Sequence, residues 1–114
     1  MNLESINELI EGKLIHRSKT EHSFEYGYAS DLMSDILRVT NFSTAVMVTG
    51  LATVQAVRTA EIANISCVVI ARDKKISNDM LELAKESDIS LISTPLTLFE
   101  ISARLFNQGI KPVY

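Results

Sequence analysis

Three short apolar runs punctuate the chain: Thr44-Ala45-Val46-Met47-Val48-Thr49-Gly50, Ser66 to Ala71, and Ile89-Ser90-Leu91-Ile92-Ser93. They lack the sustained polar alternation of a half-exposed sheet, which is the habit of strands buried on both faces of a parallel sheet. Helix-length segments lie between and after them. Ala52 to Asn64 places Val54, Val57, Ala60, Ile62 and Ala63 as the packing positions, with Gln55, Arg58, Thr59 and Glu61 facing mostly outward. Asn78 to Ser87 is preceded by Ser77, an N-cap residue, with Ile76 and Leu81 spaced as a hydrophobic staple and Asp79 in the first turn. A third helix is expected from Pro95, capped by Thr94, with Leu98, Ile101, Leu105 and Phe106 inward and Gly109 as its stop.

Upstream the pattern is more broken. Leu3 to Glu11 reads as an amphipathic helix ended by Gly12, and Lys13 to Arg17 as a short strand. His22 to Ala29 carries Phe24, Tyr26 and Tyr28 at period two, a second strand. Ser30 then caps a helix over Asp31 to Val39, and Thr40 to Ser43 is a linker. The strand–helix alternation predicts a three-layer α/β domain, with a mostly parallel sheet of about five strands and helices on both faces. No repeat or low-complexity segment interrupts residues 1–114, so a single domain is expected.

Composition supports one packed core: of 114 residues, 46% are apolar and 22% charged. The net charge of −3 comes with scattered basic residues, of which only Arg72, Lys74 and Lys75 cluster. Nucleic-acid binding draws on a basic face, so nucleic acid is not an expected partner. No stretch has the length of a membrane span or the form of a signal peptide, and the lone Cys67 cannot form an internal disulfide. A cytoplasmic location and no membrane partner are the corresponding expectations.

Catalytic motifs are scarce. The four glycines, at 12, 27, 50 and 109, cannot form a P-loop or a Gly-x-Gly-x-x-Gly fingerprint. His16 and His22 with one cysteine make a poor zinc set, and read more simply as surface imidazoles; no metal and no cofactor are expected. Asp31 and Asp35 lie four apart, as a solvated helix face would place them, and Cys67 sits mid-strand as a core thiol. An enzyme would need a perturbed Asp31 or Arg72 in a cleft, and neither has a partner in sequence.

Ligands of open parallel sheets bind beyond the carboxyl ends of the strands, where helix N-termini gather. That rule selects Tyr28, Ser30, Asp31, Thr49, Gly50, Arg72, Ser93 and Thr94 as a rim for a small polar or anionic molecule. Capping by Ser30 and Thr94, and chain turning by Gly50, are the competing roles. An apolar alternative is an interface built on Phe24, Tyr26 and Tyr28, or on Phe99 and Phe106.

The stretch Gly27-Tyr28-Ala29-Ser30-Asp31-Leu32-Met33-Ser34-Asp35 resembles the Gly-Tyr-x-Ser-Asp-Leu-Leu-Ser-Asp stretch of DRTGG domains. Ser93-Thr94-Pro95-Leu96-Thr97-Leu98-Phe99-Glu100, followed by Arg104-Leu105, is similar to their closing strand–helix unit. The resemblance runs from Leu3 to Gly109, but the Asp-Arg-Thr-Gly-Gly signature is absent; Thr20 to Gly27 stands in its place. DRTGG domains are similar to the N-terminal domain of HPr kinase/phosphorylase, which lacks that enzyme's P-loop. They also accompany CBS domains in regulatory pyrophosphatases and are attached to phosphotransacetylases. The resemblance implies a non-catalytic regulatory module and a homodimer. A nucleotide or metabolite ligand and a partner enzyme are compatible with it; a dimerisation or protein-interaction module without a small ligand is the alternative.

Overall fold

The computed structural model describes residues 1–36 and 42–113. Its helices are α1 (Leu3–Leu9), α2 (Met33–Ile36), α3 (Val54–Ile62), α4 (Asn78–Glu86) and α5 (Leu98–Asn107). Its strands are β1 (Lys13–His16), β2 (Tyr26–Ala29), β3 (Ala45–Thr49), β4 (Cys67–Ile70), β5 (Ser90–Ser93) and β6 (Lys111–Pro112). All six join one sheet in the order β1-β5-β4-β3-β2-β6. The pairs from β2 through β5 are parallel, and so is β2 with β6; β1 runs antiparallel along β5. The strand beyond the expected five is β6, a two-residue piece beside Tyr26 and Gly27. The last three residues of the helix expected over Asp31 to Val39, and Thr40 and Asn41 of the linker, lie outside the described residues.

Alternation along the buried strands sends side chains to two apolar layers. Met47, Val68, Ile70 and Leu91 pack under α2, α3 and α4 with Met33, Ile36, Ala56, Val57, Ala60, Met80 and Leu83. Val46, Val48, Cys67, Val69 and Ile92 face the other way, onto Leu3, Ile6 and Ile10 of the α1 region and Ile101 and Leu105 of α5. β3 and β4 are buried along their whole length, which is why their sequences are apolar without alternation.

Three expectations shift for identifiable reasons. Phe24 is buried with the α1 and α5 layer, whereas Tyr28, four residues on, packs on the α2–α4 layer. The Glu25 and Tyr26 amides both donate to the Thr44 carbonyl, at 2.9 and 3.2 Å, a one-residue irregularity that resets the alternation. On α3, Ile62 is exposed and Thr59 buried. Ile62 lies two residues past the inward Ala60, about 200° around the helix; Thr59 shares the inner face and donates its hydroxyl to the Gln55 carbonyl at 2.8 Å. Finally, α5 starts at Leu98 and not at Pro95. Thr97 is its N-cap, closing a reciprocal capping box with Glu100.

Candidate functional site

The parallel strands β2, β3, β4 and β5 end on one rim, at Ala29, Thr49, Ile70 and Ser93. β4 leads to α4 on one face and β5 to α5 on the other, so the point where connections diverge lies between these two neighbours. The chain itself laces that crevice. The Arg72 amide donates to the Leu96 carbonyl at 2.9 Å, and the Asp73 amide to the Thr94 carbonyl at 2.8 Å. Arg72 and Asp73 reach this geometry with left-handed backbones, φ 63° and 55°. Thr94 is buried; its hydroxyl donates to the Ile10 carbonyl at 2.6 Å and accepts from the Leu96 amide at 3.2 Å. It therefore ties the β5 loop to the end of α1, and the helix-capping role expected of it passes to Thr97.

The open part of the rim lies one strand over, around Gly50. Asp31 Oδ1 accepts from the Gly50 amide at 2.6 Å and from the Thr49 hydroxyl at 3.3 Å. The Thr49 hydroxyl oxygen accepts from the Leu51 amide at 3.1 Å. Arg72 Nη2 stands 3.7 Å from Asp31 Oδ2, both side chains about half exposed (44% and 50%). The guanidinium lies over Gly50, in the space that a Cβ there would take. Lys74 Nζ donates to the Gly50 carbonyl at 3.0 Å. α3 starts just beyond, and its N-cap, Thr53, makes no side-chain cap bond.

Four of the eight rim residues thus converge: Asp31, Thr49, Gly50 and Arg72. Ser30 adjoins them; its amide donates to the Val48 carbonyl, and its hydroxyl accepts from the Leu32 amide at 2.9 Å, holding the entry to α2. Ser93 is half-buried at the end of β5, and Tyr28 packs toward the α2–α4 layer. Sequence reasoning passed over Lys74 as a site residue. The Arg72, Lys74, Lys75 cluster was the available signal, and the side-chain reach back to Gly50 is visible only in three dimensions.

A second concavity, of about 390 Å³, runs between α5 and the β2–β6 edge. Gly27, Ala29, Val48, Leu105, Ile110 and Pro112 line it with Phe99 and Phe106 of α5. Phe99 is 84% and Phe106 66% exposed, although Phe106 was expected on the inner face of α5. Leu98, Ile101 and Leu105 form that inner face. Among the described residues, no group of three or more His, Cys, Asp or Glu could hold a metal, and no helix is long and apolar enough to cross a membrane. Burial pushes the Cys67 thiol up to about 12.

Residues 52–107, from the head of α3 to the end of α5, match the family model of the HPr serine kinase N terminus. The fold is also that of a crystal structure of the CBS and DRTGG domains of the regulatory region of Clostridium perfringens pyrophosphatase, complexed with activator, diadenosine tetraphosphate. The TM-score is 0.73 over 96% of this chain, at 16% identity. The fold of this chain is DRTGG-like. It spans 47% of the pyrophosphatase chain. No curated protein matches its sequence. The matched residues contain Gly50's neighbours Arg72 and Lys74 but not Asp31, so the family model covers one side of the rim.

Proposed function

We propose that this domain is a non-catalytic regulatory module that binds a small anionic ligand, a nucleotide or phosphorylated metabolite, at the strand-end rim around Gly50. One observation carries the reading: two exposed cations from the β4 loop, Arg72 and Lys74, fold back over a glycine turn directly before the head of α3. A phosphate placed there would meet a guanidinium, an ammonium and the positive end of a helix dipole. The Arg72–Asp31 contact is long and solvated, so exchanging it for a ligand phosphate costs little. The pyrophosphatase regulatory region was solved with a dinucleotide activator, and that suggests nucleotides as the first class to try. In this reading the domain accompanies an enzyme partner and transmits ligand occupancy to it.

Isothermal titration calorimetry with AMP, ADP, ATP and diadenosine tetraphosphate tests the reading. Binding is expected for at least one of them, weakened on the order of tenfold or more by Arg72→Ala or Lys74→Ala, the effect of losing one charge-assisted bond. A full panel without heat, on folded protein, would sink it.

The alternative is self-association through α5. Its support is the pair of exposed phenylalanines bordering an apolar groove, since large aromatic side chains dominate interface energetics. Under this reading light scattering gives a dimer mass, and the double variant Phe99→Ser, Phe106→Ser gives a monomer. A monomeric wild type at millimolar concentration would remove it.

A further inference from the structure

At the opposite end of the sheet from Gly50, a cavity of about 460 Å³ opens between the start of α1 and the segment joining β1 to β2. That volume falls within the range of about 300–1,000 Å³ usual for small-molecule sites. Its floor is apolar, formed by the buried Leu3 and Phe24. Arg17, Lys19, Glu21 and His22 line it together with Glu4.

The segment around it is tied down by groups other than these charged side chains. The Ser18 amide donates to Ser90 Oγ at 2.9 Å. The Lys19 amide and the Thr20 hydroxyl both donate to the Asp88 carboxylate, at 2.7 and 2.9 Å. The Phe24 amide donates to the Met1 carbonyl at 2.7 Å. These bonds hold the backbone wall of the cavity in place before any ligand arrives, which lowers the ordering cost of binding. Among the described residues, Lys19 enters no ion pair, and Arg17 is engaged only by Glu4, at 2.6 Å, with both side chains at least half exposed.

We propose that this cavity is a separate ligand site for a small organic anion, whose carboxylate or phosphate is held by Arg17 and Lys19 and whose apolar body rests on Leu3 and Phe24. Glu4 occupies Arg17 when the site is empty and competes with the ligand for it. The proposal does not depend on the Gly50 rim, which lies at the other end of the strands.

The test is a titration of the full chain followed by amide resonances in two-dimensional NMR. The probes are phenyl phosphate and benzoate, with inorganic phosphate lacking the body and benzyl alcohol lacking the charge. One of the two aromatic anions is expected to give saturable shifts at the amides of residues 3, 4 and 18–22. Which of them does so distinguishes a phosphate from a carboxylate site. Inorganic phosphate and benzyl alcohol bind more weakly by about tenfold or more. Arg17→Ala and Lys19→Ala each weaken the aromatic anion; Lys19→Ala removes no ion pair and Arg17→Ala gives up only the exposed pair with Glu4, a surface contact worth little, so the fold is kept. Glu4→Gln tightens it severalfold by freeing Arg17, a gain that a purely structural Glu4–Arg17 pair would not produce. Arg72→Ala leaves it unchanged, which separates this site from the rim. Unsaturated or absent shifts at these amides, an equal response to benzyl alcohol, or no tightening in Glu4→Gln would overturn the proposal.

Discussion

Gly50 shows how one missing side chain organises a site. Its bare Cα lets the Arg72 guanidinium lie over the turn, and its amide is held by Asp31. Gly50→Ala would push aside the far end of a flexible arginine, so its stability cost is expected to be small, about 1 kcal/mol or less by urea denaturation. If Arg72 serves the rim, the same variant loses nucleotide affinity out of proportion to that cost. Asp88 works differently. The Lys19 amide, and then the Thr20 hydroxyl, hold its carboxyl below the usual range against the opposing cost of burial. A carboxylate with a lowered folded pKa contributes stability above its unfolded value and loses it as pH falls through the folded one. Stability should therefore decline below about pH 4. Asp88→Asn, which still tolerates the left-handed backbone at φ 55°, should flatten that decline while lowering stability at neutral pH; urea midpoints against pH read both. Cys67, with its thiol pushed up to about 12 by burial, should resist alkylation at pH 8 in the folded protein and react on unfolding.

At the scale of elements, two threonines three residues apart have different roles. Thr-Pro before a helix predicts a cap at Thr94; the structure gives that role to Thr97, which closes a capping box with Glu100. Buried Thr94 bridges to the Ile10 carbonyl, while exposed Thr97 caps α5. Thr97→Ala should cost about 1 kcal/mol, the usual worth of a cap. Thr94→Val removes a buried donor's bond and strands the Ile10 carbonyl, so its cost should be greater, about 1–3 kcal/mol. Equal losses in chemical denaturation would show that the two roles are not divided this way. The same scale explains Phe24. The expected alternation Phe24, Tyr26, Tyr28 does not hold through its first member: β2 starts at Tyr26, and the doubled donation to Thr44 sets Phe24 into the opposite layer from Tyr28, a change no periodicity records.

Among the described residues, three helices cover one face of the sheet and two cover the other, and the consequences gather at the thinner side. α5 lies over β2 and β3 without closing the β2–β6 edge, which leaves the groove beside Phe99 and Phe106. The rim and the cavity near Arg17 lie at opposite ends of the strands, so the two proposed ligand sites do not share a surface. Main-chain bonds between the 72–73 and 94–96 loops close the usual crevice of such sheets and move the open rim to Gly50.

The sequence alone determined the layered α/β architecture, because burial on both faces demands strands without alternation and burial on one face demands helical periodicity. It also located the ends of the strands, and with them Asp31, Thr49, Gly50 and Arg72, since turn and capping residues are local signals. Tertiary structure alone decided that β1 lies antiparallel at one edge, that Thr94 is sealed inside, that Lys74 reaches back to Gly50, and that Arg17 and Lys19 share a cavity with Leu3. These are pairings between segments far apart in the chain, and a pattern read a few residues at a time carries no term for the distance between them.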